Sequence, residues 1–147
     1  MHQKKPILEY AIHYLSRFPK TQKEMELQLL KKWYSEEEIQ KAIKWLIRQR
    51  YLDDCLWTQA YLSSEVVKKG KPLNLIKKKL YQKGIAKDCI QKMIDELQEE
   101  MEEGQKQKVL TLIDKLKQKD LDGFEIIRKL LQKWYSYRLL QRILKED

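Results

Sequence analysis

Apolar positions along this chain recur at two scales. Within short windows they fall at i and i+4, the spacing of one helical face. Across the chain the same windows return about every fifty residues. Three segments align without a gap: TQKEMELQLLKKWYSEEEIQKAIKWL from Thr21, PLNLIKKKLYQKGIAKDCIQKMIDEL from Pro72 and DGFEIIRKLLQKWYSYRLLQRILKED from Asp122, with starts 51 and then 50 residues apart. Met25, Ile76 and Ile126 align, as do Leu29, Leu80 and Leu130; then Ile39, Ile90 and Leu140, and Ile43, Ile94 and Leu144. The rows predict one helix, a short turn, and a second helix with the same stripe.

Helix ends are written into these segments. Thr21 with Glu24, and Ser35 with Glu38, form capping-box patterns. Asp122 with Glu125 pairs an acid cap with a first-turn acid. Pro72 suits a first helical turn, and Gly84 stands where the helix that Pro72 opens should stop. Each helix pair is preceded by another amphipathic stretch, over 7–17, 54–69 and 105–119. The prediction is all-α: nine helices in three tandem three-helix repeats, 1–52, 53–103 and 104–147, stacked as an elongated, curved array. The acidic stretch 95–103 reads as a solvated extension of the sixth helix, with a hinge as the weaker alternative.

Composition supports that class. Among 147 residues there are only 4 Gly and 3 Pro, too few turn formers for a doubly wound α/β fold or a β-sandwich. Four Trp, eight Tyr and a 42% hydrophobic content supply real cores. Cys55 and Cys89 lack metal or redox spacing and are expected as two ordinary thiols in a reducing compartment. His2 and His13 are the only histidines, so no metal site and no cofactor are expected. The apolar runs fall far below the ~18 residues of a spanning helix. The stretch ILEYAIHYL after Lys4 and Lys5 is interrupted by Glu9 and His13 and lacks a cleavage site. A cytoplasmic location without membrane attachment is expected. No nucleophile–base–acid set or phosphate loop is present, and Asp53–Asp54 reads as a helix cap, so no enzyme is expected.

Charge sharpens the picture. Lys and Arg number 31 against 22 Asp and Glu, a net +9. The middle third is nearly neutral in total but segregated: between Glu65 and Asp88 there is no acid, yet Lys68, Lys69, Lys71, Lys77, Lys78, Lys79, Lys83 and Lys87 fall there. On the helix from Pro72, Leu73, Ile76 and Leu80 face inward, which turns Lys78 and Lys79 outward. Such a patch can approach phosphates or an acidic protein surface. Lys32, Lys83 and Lys133 align between units, and so do Lys41, Lys92 and Arg142. The candidate partner-binding residues are therefore Lys41, Lys68, Lys69, Lys71, Lys77, Lys78, Lys79, Lys83, Lys92 and Arg142. The plainer role of the Lys32 row is to complement helix carbonyl ends. Most of Trp33, Trp45, Trp57 and Trp134 are expected in cores or between units; exposed aromatics are expected at Tyr34, Tyr135 and Tyr137.

The order of pieces resembles the RecX family of bacterial recombinase regulators. The resemblance is carried by Tyr51-Leu52-Asp53-Asp54, then Trp57 and Ala60, then the Gly70 loop, then Ile76, Leu80, Lys83, Gly84 and Ile85. It extends from about Ile7 to the end. Two departures stand out. Trp33 and Trp134 occupy turn positions where the family commonly has Gly, and the helix 57–69 lacks Arg. The resemblance implies a regulator that binds the RecA recombinase and its filament on single-stranded DNA, mostly inhibiting it, with single- or double-stranded DNA as a further partner; a monomer is expected. The alternative is direct DNA binding through helix-turn-helix-like pairs. The candidate recognition helices open with SEEEI, AKDCI and SYRLL, and the first is acidic.

Overall fold

The structure, a computed structural model, describes residues 5–146; His2 and Lys4 lie outside them. Among the described residues there are helices and turns and no strand. The helices are α1 (Ile7–Arg17), α2 (Gln22–Lys31), α3 (Glu36–Arg48), α4 (Asp54–Leu62), α5 (Leu73–Gln82), α6 (Lys87–Lys117), α7 (Gly123–Gln132) and α8 (Tyr137–Glu146). A π-helical turn, Ser63–Lys68, extends α4.

Among the described residues, eight α-helices replace the nine expected, because the sixth and seventh merge into α6, which is 31 residues long. The stretch 95–103 is helical throughout and is not a hinge. Its Glu, Gln, Leu and Met residues are good helix formers. Met101 turns inward and is 1% exposed, so the segment also contributes to a core.

Three apolar clusters follow one another along the chain. The first joins α1, α2 and α3 around Ala11, Met25, Leu29, Ile39 and Leu46. The second gathers Leu62, Val66, Ile76, Leu80, Ile90 and Met101. The third gathers Val109, Ile113, Ile126, Leu130, Leu140 and Ile143. The rows at Met25, Leu29 and Ile39 are buried in all three units. The fourth row needs correcting. Ile43 is buried, but Ile94 is half-buried and Leu144 exposed; the buried residues are Met93 and Ile143, one position earlier. A 3.6-residue turn lets i+3 and i+4 straddle one stripe. In α3 the i+3 residue is the small Ala42, and both positions are buried.

Capping follows the sequence closely. Thr21 with Glu24 and Ser35 with Glu38 form complete capping boxes. Asp122 caps α7 and Asp53 caps α4. The turn after the first helix of each pair is left-handed: φ is 67° at Trp33, 80° at Gly84 and 81° at Trp134. Tryptophan tolerates this conformation only at a cost of about 1–2 kcal/mol.

Two further features were not anticipated. A Cβ added at Gly104 would lie 2.4 Å from the Val67 carbonyl oxygen, so only glycine lets α6 lie this close to the π turn. Next to it, buried Gln105 accepts a hydrogen bond from the Leu73 N–H at 3.0 Å. It thereby caps α5, whose own N-cap Pro72 has no side-chain acceptor. The expectation for the cysteines is overturned. Cys55 in the first turn of α4 and Cys89 in the first turn of α6 are joined by a disulfide, with Cα atoms 5.3 Å apart. The 34-residue separation concealed a contact created by the packing of α4 against α6.

Candidate partner-binding surface

Packing of the units decides which lysines are available. At the first junction the Asp54 carboxylate accepts the Gln22 N–H at 2.8 Å, at the opening of α2. Burial pushes the Asp54 carboxyl above its ordinary range, against the Gln22 hydrogen bond. Lys83, at the end of α5, reaches Glu24 Oε2 at 3.3 Å. Its ammonium also lies 5.2 Å from the centre of the Trp57 ring, which stacks on Tyr61. Burial raises the Glu24 carboxyl, but the Thr21 N–H and the Lys83 charge outweigh it, and the net shift is downward.

Around the π turn, Glu65 lies 3.0 Å from Lys69 and 3.3 Å from Lys71. Hydrogen bonding from Lys69, assisted by Lys71, holds the Glu65 carboxyl below its usual range despite burial. The acid that ends the cation-rich stretch therefore folds back onto two of its lysines. Lys68 and Lys69 line a cleft of about 680 Å³ whose other wall, on α6, carries Glu99, Glu100, Glu103 and Lys108. That cleft is mixed in charge rather than basic.

The ten candidate cations thus fall into two groups. Lys41 pairs with Glu37 at 3.4 Å, Lys69 and Lys71 with Glu65, Lys83 with Glu24, and Arg142 with Glu102 at 2.6 Å. Among the described residues, no ion pair engages Lys68, Lys77, Lys78, Lys79 or Lys92. Lys77, Lys78 and Lys79 are consecutive on α5; Lys78 is exposed and the other two half-buried. The Lys78 ammonium lies 5.0 Å from the centre of the Trp134 ring, linking the second unit to the third.

The aromatic expectations are partly reversed. Trp33 is 81% exposed and Trp134 45%, while Tyr34 and Tyr135 are buried. Tyr34 donates its hydroxyl to the Lys5 carbonyl at 2.6 Å, and Tyr135 donates to the Gly70 carbonyl at 2.7 Å. Burial pushes the Tyr135 hydroxyl up to about 12. Tyr137 is exposed, and Trp45 and Trp57 are half-buried. The repeated Lys-Trp-Tyr-Ser run was a sequence signal that could have set Trp apart from Tyr.

Among the described residues no cluster of three or more His, Cys, Asp or Glu could hold a metal ion, and no helix is long and apolar enough to cross a membrane. An all-helical array of three-helix units with its charge on helix faces defines a helical-repeat protein. A family model described as RecX, first three-helix domain, matches residues 8–46. The regulatory protein RecX of Clostridium botulinum (strain Alaska E43 / Type E3) is 33% identical over 146 residues, covering 94% of this chain and 66% of the relative. The regulatory protein RecX of Oceanobacillus iheyensis is 29% identical over 142 residues, covering 92% of this chain and 51% of the relative. The crystal structure of RecX from Lactobacillus salivarius superposes with a TM-score of 0.77 at 23% identity, covering 95% of this chain and 93% of that one. The chain belongs to the RecX family of regulatory proteins. It spans about two thirds of the Clostridium botulinum relative and half of the Oceanobacillus iheyensis one.

Proposed function

We propose that this chain is a cytoplasmic, monomeric, non-catalytic regulator that binds the RecA recombinase and its filament on single-stranded DNA and restrains recombinase activity. The reading follows from the RecX resemblance. The observation that supports it in the chain itself is the lysine run on α5, where Lys77, Lys78 and Lys79 meet no carboxylate among the described residues. Lys68 and Lys92 join them as available cations. Lys41, Lys69, Lys71, Lys83 and Arg142 contribute after exchanging their present acidic partners. A lysine face attracts over long range and tolerates register changes, whereas bidentate recognition would favour arginine.

The test is RecA ATP hydrolysis on single-stranded DNA with increasing amounts of this protein, together with co-pelleting on the filaments. Falling hydrolysis and co-pelleting are expected; neither occurring refutes the reading. Reversing the charge of Lys77, Lys78 and Lys79 together should weaken inhibition, more at low salt than at high salt. Direct DNA binding by the same lysines is the second reading, favoured by their unpaired charge. Against duplex reading by the first unit stand Glu36, Glu37 and Glu38, which open α3 and repel phosphate. Tight duplex binding without RecA would favour this alternative.

A further inference from the structure

The chain's two cysteines, Cys55 and Cys89, are bonded to each other. In a reducing cytoplasm lasting disulfides are rare, and those that form are mostly transient, catalytic or redox-sensing. A catalytic pair would have the close spacing of a redox motif, whereas these two are 34 residues apart. Reversible sensing asks three things of a structure. Small molecules must reach the sulfurs, the fold must keep them together when reduced, and the bond must have a structural consequence.

All three are present. Cys55 is half-buried and Cys89 is 6% exposed, yet both line an open cleft of about 510 Å³ between the first two units. The apolar cluster of Leu62, Val66, Ile90, Met93 and Met101 holds α4 and its π turn against α6 independently of the bond. The Cα separation of 5.3 Å is an ordinary one for a disulfide, so packing alone brings the thiols within bonding range. The consequence lies one residue away. Asp54 precedes Cys55, and its carboxylate accepts the N–H of Gln22, in the other unit, at 2.8 Å. Gln22 opens α2, so this N–H has no partner within its own helix. The disulfide ties the start of α4, and Asp54 with it, to the start of α6.

We propose that Cys55 and Cys89 form a peroxide-responsive thiol–disulfide switch that sets how rigidly the first unit is held on the second. Hydrogen peroxide oxidises the more accessible Cys55 thiol to a sulfenic acid: an S–O bond forms, the O–O bond breaks and one water leaves. The Cys89 thiol then attacks that sulfur, the S–S bond forms, the S–O bond breaks and a second water leaves. Two thiols and one peroxide thus give one disulfide and two waters. A cytoplasmic dithiol reverses the change, becoming a disulfide itself as both cysteines regain their protons. In the reduced state the first turn of α4 can shift, the Asp54–Gln22 bond opens more often and the junction flexes. In the oxidised state the array is preorganised and binds the filament more tightly. The inference rests on the cytoplasmic, filament-binding reading above and deepens it, but its structural half is measured without RecA.

The test compares protein reduced with dithiothreitol, the same protein re-oxidised with hydrogen peroxide, and the double variant Cys55→Ser with Cys89→Ser. Amide hydrogen exchange is read at the Gln22 N–H. The control is the Glu38 N–H, which donates to the Ser35 hydroxyl inside the first unit. Reduction should expose both thiols with helix content retained, and peroxide should close them again. The Gln22 N–H should exchange about threefold or more faster in the reduced protein and in the double variant, with Glu38 unchanged. Filament affinity should fall about threefold or more on reduction and recover with peroxide. The double variant should ignore peroxide. Thiols that peroxide does not join within one chain overturn the proposal, as does equal Gln22 exchange in the two forms. An equal rise at Gln22 and Glu38 marks general destabilisation and also overturns it, as does a peroxide response that survives in the double variant. Filament binding that is intact and equal in the two forms refutes this inference alone. Filament binding by neither form refutes the filament reading, while Gln22 exchange still decides the switch.

Discussion

The two junctions between units are built on different principles. The first unit meets the second through charge and single polar contacts: Asp54 on the Gln22 N–H, and Glu24 on Lys83. An open cleft of about 510 Å³ lies beside them, lined by Gln22, Ile47 and Arg50 from one side and by Asp54, Cys55 and Cys89 from the other. The second unit meets the third through one shared helix, α6, with backbone in close approach at Gly104 and the buried Tyr135 hydroxyl on the Gly70 carbonyl. The first junction should respond to salt and pH; the second should respond to changes of shape. The tandem repeat therefore does not imply equivalent joints.

The largest effect should come from the disulfide that pins the starts of α4 and α6 beside the first junction. Its 34-residue separation corresponds to about 3–4 kcal/mol in the chain-entropy account. Reduction, or Cys55→Ser with Cys89→Ser, should lower the denaturant midpoint accordingly; an unchanged midpoint would show that the bond adds nothing to stability. Next is Gly104→Ala. Alanine favours a helix interior, but its Cβ would press on the Val66 and Val67 carbonyl oxygens at 2.7 and 2.4 Å. A net loss of about 2–3 kcal/mol is expected, seen as a lower melting temperature. A stabilised variant would show that α6 and the π turn can move apart freely.

Tyr135→Phe should cost about 1–2 kcal/mol, because it leaves the Gly70 carbonyl buried without its donor. The comparison residue is Tyr34, which is nearly as buried but bonds the Lys5 carbonyl within its own unit. Equal losses in stability from the two phenylalanine variants would argue that the second junction adds no constraint beyond the unit itself. Gly84→Ala should cost about 1 kcal/mol through its left-handed backbone. Its Cβ would meet only the flexible Lys23 chain, at 2.8 Å from Cδ, so strain and not crowding sets the cost. A much larger loss in thermal unfolding would mean that the first junction is more rigid than its polar contacts imply.

Much of this contrast was legible in part. Caps at Thr21, Ser35 and Asp122 could be read because a cap is a local pattern of side chain and nearby N–H. The three best core rows could be read because helical periodicity survives in the residue order. What escaped was non-local. Gly104 looks like a weak point in a helix until the π turn is packed against it. Cys55 and Cys89 look unrelated until α4 lies on α6. Gln105 looks like a surface glutamine until α5 needs its oxygen. At the candidate surface the lysines themselves were visible as a run without acids. Their pairing was not, since Glu24 lies 59 residues from Lys83 and Glu65 sits just outside the run.

The smallest expected effect isolates the charge across the first junction. Glu24→Gln keeps the capping geometry, because glutamine also serves in a capping box, and removes the charge facing Lys83. The partly exposed pair should contribute about 0.5 kcal/mol near neutral pH, diminishing as salt is raised. Its pH dependence has a defined sign. The Glu24 carboxyl is lowered from its ordinary 4.5 in the folded state, so its contribution is complete above that value and is lost as pH falls through the lower, folded-state range. Asp54 is shifted the opposite way, so its protonation at low pH relieves a cost of folding. The Glu24 charge is a minor, like-charge cause of that shift, so Asp54 enters the difference only through this weak coupling, which salt also screens. Denaturation curves of wild type and Glu24→Gln should therefore separate at neutral pH in low salt and converge both in acid and in high salt. A difference that persists under both conditions would show that the side chain acts at this junction through shape rather than charge.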